Sequence, residues 1–225
     1  MRIGVVLAGG ASSQSTAEQL VPRAVSDAAD GSDDVVIVVA ADSGLDLARR
    51  LGIVPTLVVG DFDSATPVSV AWARQLGIEL RVSPTDKDET DLDLALAAAI
   101  DAGAERLIVL GGAGGRLDHL LGNIGAIGRV GGHVDIEAWL GTEYLAVVTG
   151  VWRADLADGA TISVLPLGDA AVVSEAGVRW PLDRHRLPLG STQGISNTAI
   201  GDEPVVITVH EGRALVVVPS AKDLS

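Results

Sequence analysis

Hydrophobic positions fall into two regimes along this chain of 225 residues. Up to about residue 145, short β-branched runs alternate with segments of helix length. Ile3–Leu7, Val35–Val39, Leu57–Val59, Glu79–Val82 and Leu107–Leu110 are continuous or nearly continuous apolar runs, the pattern of strands covered on both faces. Between them Leu45–Leu51, Val68–Leu76, Thr90–Ala102 and Leu117–Val130 read as helices. In the third, Leu92, Leu96 and Ala99 recur at helical spacing. Strand-then-helix alternation predicts a mainly parallel α/β sheet. Ligands of such sheets bind at the carboxyl ends of the strands. The Ser- and Asp-rich segment from Ala11 to Asp34 reads as a loop leading into a helix.

After about residue 145 the helical pattern stops. Thr161–Leu165, Ala171–Ser174, Val205–Val209 and Ala214–Val218 are short strand-like runs separated by turn residues. The stretch from Thr208 to Arg213, with Gly212, reads as a hairpin turn between the last two. The expected organisation is therefore a mainly parallel α/β domain over 1–145 followed by a small all-β domain over 146–225.

Composition narrows the chemistry. Hydrophobic residues make up 48% of the chain, enough for a packed core, and aromatics only 3%, so that core is built from Val, Leu, Ile and Ala. Sixteen basic against 30 acidic residues leave a net charge of −14. This argues against a nucleic-acid backbone or an anionic membrane as main partner. A phosphate ligand stays possible if a divalent cation stands between the two negative groups. With no cysteine, disulfides, thiolate metal sites and cysteine nucleophiles are excluded. No apolar run reaches the roughly 18 residues of a membrane span, and Met1 leads straight into a strand-like run. A soluble, cytoplasmic protein is expected.

Three acidic clusters each follow a predicted strand: Asp42 with Ser43 and Gly44, Asp61 and Asp63 around Phe62, and the run Asp86, Lys87, Asp88, Glu89, Thr90, Asp91. Asp61 and Asp63 are two apart, so both carboxylates can face one side of an extended loop. Oxygen donors without cysteine and with only four histidines favour Mg²⁺ over zinc. Asp88 or Thr90 is placed to cap the following helix, with Asp91 in its first turn. Lys87 either neutralises its acidic neighbours or touches a phosphate. Gly111, Gly112, Gly114 and Gly115, followed by Arg116, Leu117, Asp118 and His119, join a strand to a helix. Backbone N–H groups at such a junction can cradle a phosphate, and Arg116 adds a fork of donors. His119 reads as a cap or core histidine more readily than as a catalytic base. Taken alone, Trp180 reads as a core or interface residue and Ser196-Asn197 as a turn.

The order of these motifs resembles the thiamine pyrophosphokinase family. The matching strings are Ala41-Asp42-Ser43-Gly44, Gly52-Ile53-Val54-Pro55, Gly60-Asp61-Phe62-Asp63-Ser64 and Asp88-Glu89-Thr90-Asp91. They continue with Gly114-Gly115-Arg116-Leu117-Asp118-His119, Gly177-Val178-Arg179-Trp180-Pro181-Leu182 and Ser196-Asn197. Ser43 stands where the family usually has glycine. The resemblance implies pyrophosphoryl transfer from ATP to thiamine with Mg²⁺ as cofactor, in a homodimer whose active site lies between subunits. By the same resemblance Asp42, Asp61, Asp63 and Asp91 are the metal-site acids, and Asp61, Asp63, Asp91 and Arg116 carry the chemistry. Lys87, Thr90, Arg116 and Asp118 line the ATP region. Trp180 stacks on thiamine, with Ser196 and Asn197 beside it. A Mg²⁺-dependent phosphohydrolase, a pyrophosphokinase for a thiamine-like alcohol, and a non-catalytic nucleotide sensor are the alternatives.

Overall fold

A computed structural model describes residues 1–10, 35–84, 86, 88–114 and 116–224. Lys87, Gly115 and the segment from Ala11 to Asp34 lie outside the described residues. The chain divides into two compact units, one of Met1–Val130 with Val134–Gly141 and one of Gly131–His133 with Thr142–Ser225.

The first unit carries six strands, β1 (Arg2–Ala8), β2 (Val35–Ala41), β3 (Leu57–Gly60), β4 (Glu79–Val82), β5 (Arg106–Leu110) and β6 (Asp135–Leu140). They lie in the order β6-β5-β1-β2-β3-β4, and every pairing is parallel. Among the described residues four helices accompany them: α1 (Gly44–Leu51), α2 (Pro67–Gln75), α3 (Asp91–Asp101) and α4 (Leu117–Val130). Alternate strand residues serve opposite faces. Val5, Leu7, Val38, Ala40 and Val58 join Leu45, Leu47 and Ala48 of α1 and Ala73 of α2 in one buried cluster. On the other face Gly4 lies against Leu107, Ala104 and Ala99, so closely that a Cβ there would come within 2.6 Å of the Leu107 side chain. Two covered faces explain the unbroken apolar runs. β4 departs from the expectation of double burial: it is the sheet edge, and Val82 is exposed.

Caps set the helix limits. Thr66 accepts from the Ser69 N–H at the start of α2, with Pro67 at the first helical position. Thr90, rather than Asp88, caps α3 through a reciprocal capping box with Asp93. Asp93 also pairs with Arg129 of α4 at 2.7 Å.

The second unit contains β7 (Glu143–Val148), β8 (Val151–Ala154), β9 (Thr161–Ala176), β10 (His185–Pro188), β11 (Asn197–Thr198) and β12 (Val205–Val218), with antiparallel pairings throughout. The hairpin expected at 208–213 is not a turn. Residues 205–218 form one strand, and 161–176 form another, paired along their length with register shifts at Val209/Glu211 and Gly212/Arg213. Opposite Gly212, at φ +76°, β9 has its own bend with Gly168 at φ +94°. The turn-forming residues therefore build a bulge, which bends a strand instead of ending it. One half of β12 pairs with β8 and the other with β7, the way corners of a small β-sandwich are made. Ile162, Val173, Leu187, Val205, Ile207, Val216 and Val218 are buried in this unit.

Candidate active site

In the strand order β6-β5-β1-β2-β3-β4 the chain winds outward from β1 to β4 and then crosses to β5 on the other side of β1, so the crevice at this reversal, past the carboxyl end of β1, is the expected binding place. A cleft of about 610 Å³ lies there. Gly9 and Gly10 follow β1, Asp42 and Ser43 follow β2, and Asp61, Asp63 and Ser64 follow β3 along its wall. Glu89, Thr90 and Asp91 at the start of α3, Gly112 and Gly114 after β5, and Asp118, His119 and Asn123 of α4 complete it.

The acids are held by unusual backbone. Asp42 is 5% exposed and takes φ +45°, while Phe62, between the other two acids, takes φ +62°. Left-handed backbone at non-glycine residues is a cost that clusters at functional sites. The Asp42 N–H donates to the Val59 carbonyl at 2.8 Å, and a Cβ on Gly60 would stand 3.0 Å from the Asp42 Cβ. Asp42, Asp61 and Asp63 each offer an oxygen within 4.8 Å of the others. Ser64 Oγ donates to Asp42 Oδ2, and the Asp63 N–H donates to Asp61 Oδ1 at 3.2 Å. Among the described residues Asp42 Oδ1 is buried without a hydrogen-bond partner.

Three carboxylates so close resist joint ionisation. The Asp63 carboxyl is raised above its ordinary value, first by the charge of Asp61, then by its small desolvation and by Asp42, with Asp91 adding to it. An orphaned buried carboxylate oxygen and two more acids beside it, a close group made of carboxylates alone among the described residues, make a set that fits a hard divalent cation such as Mg²⁺. Of the four acids expected in the metal site, the structure gathers three; Asp91 stands on the same cleft wall, in the first turn of α3, outside the close group.

The glycine turn after β5 lies against β1. Gly111 takes φ +88°, and a Cβ there would sit 2.2 Å from the Ala8 carbonyl oxygen, so only glycine permits this approach. The Gly112 N–H donates to the Gly9 carbonyl at 2.6 Å. Asn123 Nδ2 donates to the Gly112 carbonyl at 2.9 Å. Arg116 forms a fork with Asp118, Nε to Oδ1 at 3.1 Å and an outer nitrogen to Oδ2 at 2.5 Å. That bond holds the Asp118 carboxyl below its usual range and raises the guanidinium. Both side chains are exposed. His119 is exposed on the cleft, neither core nor cap. The Thr90 hydroxyl donates to and accepts from Asp93, fixing the start of α3.

The remaining predicted residues lie in the second unit. Trp180 is 57% exposed, with the Arg179 guanidinium 5.3 Å from its ring centroid. Asn197, 6% exposed, holds the Trp180 backbone through its side-chain amide. Ser196 is exposed at φ +60°, and its N–H donates to Ser163 Oγ at 3.0 Å. Among residues that sequence reasoning did not single out are Asn123 and Glu175; Ser64, quoted only within its motif, gains a role. For Asn123 a signal existed, one helical turn after His119 on α4.

Comparison with known proteins bears on both units. The profile described as thiamin pyrophosphokinase, catalytic domain, matches residues 31–140, and that described as thiamin pyrophosphokinase, vitamin B1 binding domain, matches residues 153–213. A thiamine pyrophosphokinase of Bacillus subtilis (strain 168) is 30% identical over 173 residues, spanning 75% of this chain and 81% of its own length. The chain belongs to the thiamin pyrophosphokinase family. It is accordingly an enzyme of the transferase class. Thiamine pyrophosphokinase 1 of Oryza sativa subsp. japonica is 28% identical over 172 residues, 71% of this chain and 64% of that one. The fold is shared with the crystal structures of thiamine pyrophosphokinase from Bacillus subtilis (TM-score 0.78, 24% identity, 98% of this chain and 99% of that one) and of the yeast thiamin pyrophosphokinase (0.70, 14%, 96% and 86%). The resemblance read in the motifs, and the α/β-then-β architecture, are thus borne out. Among the described residues no helix is long and apolar enough to cross a membrane.

Proposed function

We propose that this family member transfers a pyrophosphoryl group from ATP to the hydroxyethyl oxygen of thiamine, giving thiamine diphosphate and AMP. The observation that carries the reading is the group of Asp42, Asp61 and Asp63, with an orphaned oxygen, in a crevice at the head of a parallel sheet. In the reaction the alcohol oxygen forms a bond to the β-phosphorus, and the bond to the bridging α–β oxygen breaks. AMP carries that electron pair away. The proton of the alcohol passes to solvent.

Such a transfer asks the protein mainly for positioning and charge neutralisation. Asp42, Asp61 and Asp63 would hold Mg²⁺, with Asp91 beside them on the cleft wall. When bound, the ion would offset phosphate charge and orient phosphate oxygens, which reconciles a −14 chain with a polyanionic substrate. The glycine turn offers backbone donors to phosphate. Arg116, exposed and held only through Asp118 among the hydrogen bonds described above, can exchange that partner for phosphate oxygens. Thr90 and Asp118 shape the ATP region, and Trp180, with Ser196 and Asn197 behind it, presents the flat face for the cationic thiamine. A homodimer with its active site at the subunit interface, and a cytoplasmic location, belong to the same reading.

The test is chromatography of products from purified protein, ATP, Mg²⁺ and thiamine, beside a control without thiamine. Thiamine diphosphate and AMP formed together, and only with thiamine present, are expected. AMP formed with a different alcohol would keep the chemistry and replace the acceptor. Free phosphate released without any acceptor would replace the reading with a phosphohydrolase.

A further inference from the structure

The second unit contains a buried acid that the proposed reaction does not use. Glu175, near the end of β9, is 2% exposed. Its Oε2 accepts from Asn197 Nδ2 at 2.8 Å, and its Oε1 has no partner among the described residues. Burial pushes its carboxyl above the ordinary value, and the Asn197 bond only partly opposes this.

Asn197 is occupied completely. Its Oδ1 accepts from the N–H of Trp180 at 3.1 Å and of Thr198 at 2.9 Å. Its Nδ2 donates to the Trp180 carbonyl at 2.8 Å and, with its second hydrogen, to Glu175. The side-chain amide therefore pairs with both backbone groups of Trp180 as a neighbouring strand would. It continues a short zipper in which the Arg179 N–H donates to the Thr198 carbonyl at 2.8 Å and Val178 pairs with Ala199. An amide has two orientations of nearly equal shape. The Trp180 and Thr198 backbone groups select the one with nitrogen toward the Trp180 carbonyl, and the Glu175 acceptor holds it there by taking the second amide hydrogen. With no valence to spare, Asn197 serves the site through Trp180 and not through a direct contact.

We infer that Glu175 is a positioning residue for the thiamine-binding surface: it locks the Asn197 amide, which clamps the backbone of Trp180 and so sets the presentation of its ring. This rests on the assignment of thiamine as the acceptor. Glu175→Met removes the acceptor at nearly equal length, whereas Glu175→Gln retains an acceptor oxygen for Asn197. The Met variant is expected to raise the KM for thiamine about tenfold, leaving kcat and the KM for MgATP within about twofold. The Gln variant is expected to stay within about twofold of wild type throughout. Amide hydrogen exchange at Trp180 and Thr198 should be about tenfold faster in the Met variant than in the Gln variant. If the Met variant does not fold, Glu175→Asp, which draws the acceptor back by one methylene, is expected to raise the thiamine KM at least threefold. Unchanged thiamine KM and unchanged exchange would overturn the inference. So would an equal rise in the KM for MgATP, the mark of a merely structural role. A wild-type protein without thiamine turnover would overturn the thiamine role itself, while the exchange data still decide the clamp.

Discussion

Replacing Asp42 with Asn separates what the acidic group does for the fold from what it does for the reaction. The three carboxylates approach within 4.8 Å of one another, so each pair repels by about 0.9 kcal/mol even at the screening of bulk water. Asp42 is buried, which weakens the screening and makes that figure a floor. Neutralising it relieves two pairs, about 2 kcal/mol. The amide keeps an acceptor toward Ser64 but leaves a buried N–H unpaired where Oδ1 stood, a cost of about 1 kcal/mol. The net gain of about 1 kcal/mol raises Tm by about 2–4 °C for a chain of this size. In EDTA, Asp42→Asn should therefore melt above wild type. Mg²⁺ at a hundred times its dissociation constant should stabilise wild type by about 2.7 kcal/mol and the variant far less, so the order of melting reverses. The assay is differential scanning calorimetry with EDTA and with MgCl₂, beside a turnover assay in which the variant should be inactive. A variant that melts below wild type in EDTA, or that gains as much from Mg²⁺, would refute the reasoning.

Trp180→Ala should weaken thiamine binding, by calorimetric titration, at least tenfold while leaving MgATP affinity within about twofold; equal thiamine affinities would remove the stacking role. Gly111→Ala forces φ +88° on a residue with a Cβ aimed at the Ala8 carbonyl. It should cost at least about 1–2 kcal/mol of stability in urea denaturation, and raise the KM for ATP. Asp46 accepts from the Thr66 N–H and hydroxyl, joining α1 to the cap of α2. Its burial opposes ionisation, but hydrogen bonds from Ser69 and Thr66 and the charge of Arg49 outweigh this and hold its carboxyl below 3.8. That stabilisation is full above pH 3.8 and is lost as pH falls through the lowered value. Asp46→Ala should thus cost about 1 kcal/mol at pH 7 by urea denaturation and progressively less below pH 3.8. For Glu175 the sign is opposite. Its raised carboxyl favours the fold most below 4.5, and that advantage is lost as pH rises to the raised value. Glu175→Gln should therefore gain in Tm relative to wild type between pH 4.5 and 7, and a gap that does not change with pH would contradict its burial.

Much of this protein was legible one residue at a time. Periodicity located the five apolar runs that became β1 to β5 and the α4 span Leu117–Val130, because a strand covered on both faces leaves no polar alternation and a helix needs its 3.6-residue stripe. Residue type located Asp42, Asp61, Asp63 and the glycine turn, since hard-cation ligands and left-handed backbone each admit few side chains. The order of those motifs along the chain was enough to indicate the family. What local pattern left open was settled by contacts distant in sequence. Whether residues 208–213 turn or bulge depends on β9, which supplies a second bend opposite Gly212. Which acids form the close group depends on how β2 and β3 end side by side, and this brings Ser64 to Asp42 across 22 positions and leaves Asp91 outside. Glu175 and Asn197 are also 22 apart. Asn197 was marked by its motif, but nothing along the chain marks Glu175 as its partner, because a buried hydrogen bond exists only once two strands have placed its donor and acceptor within reach.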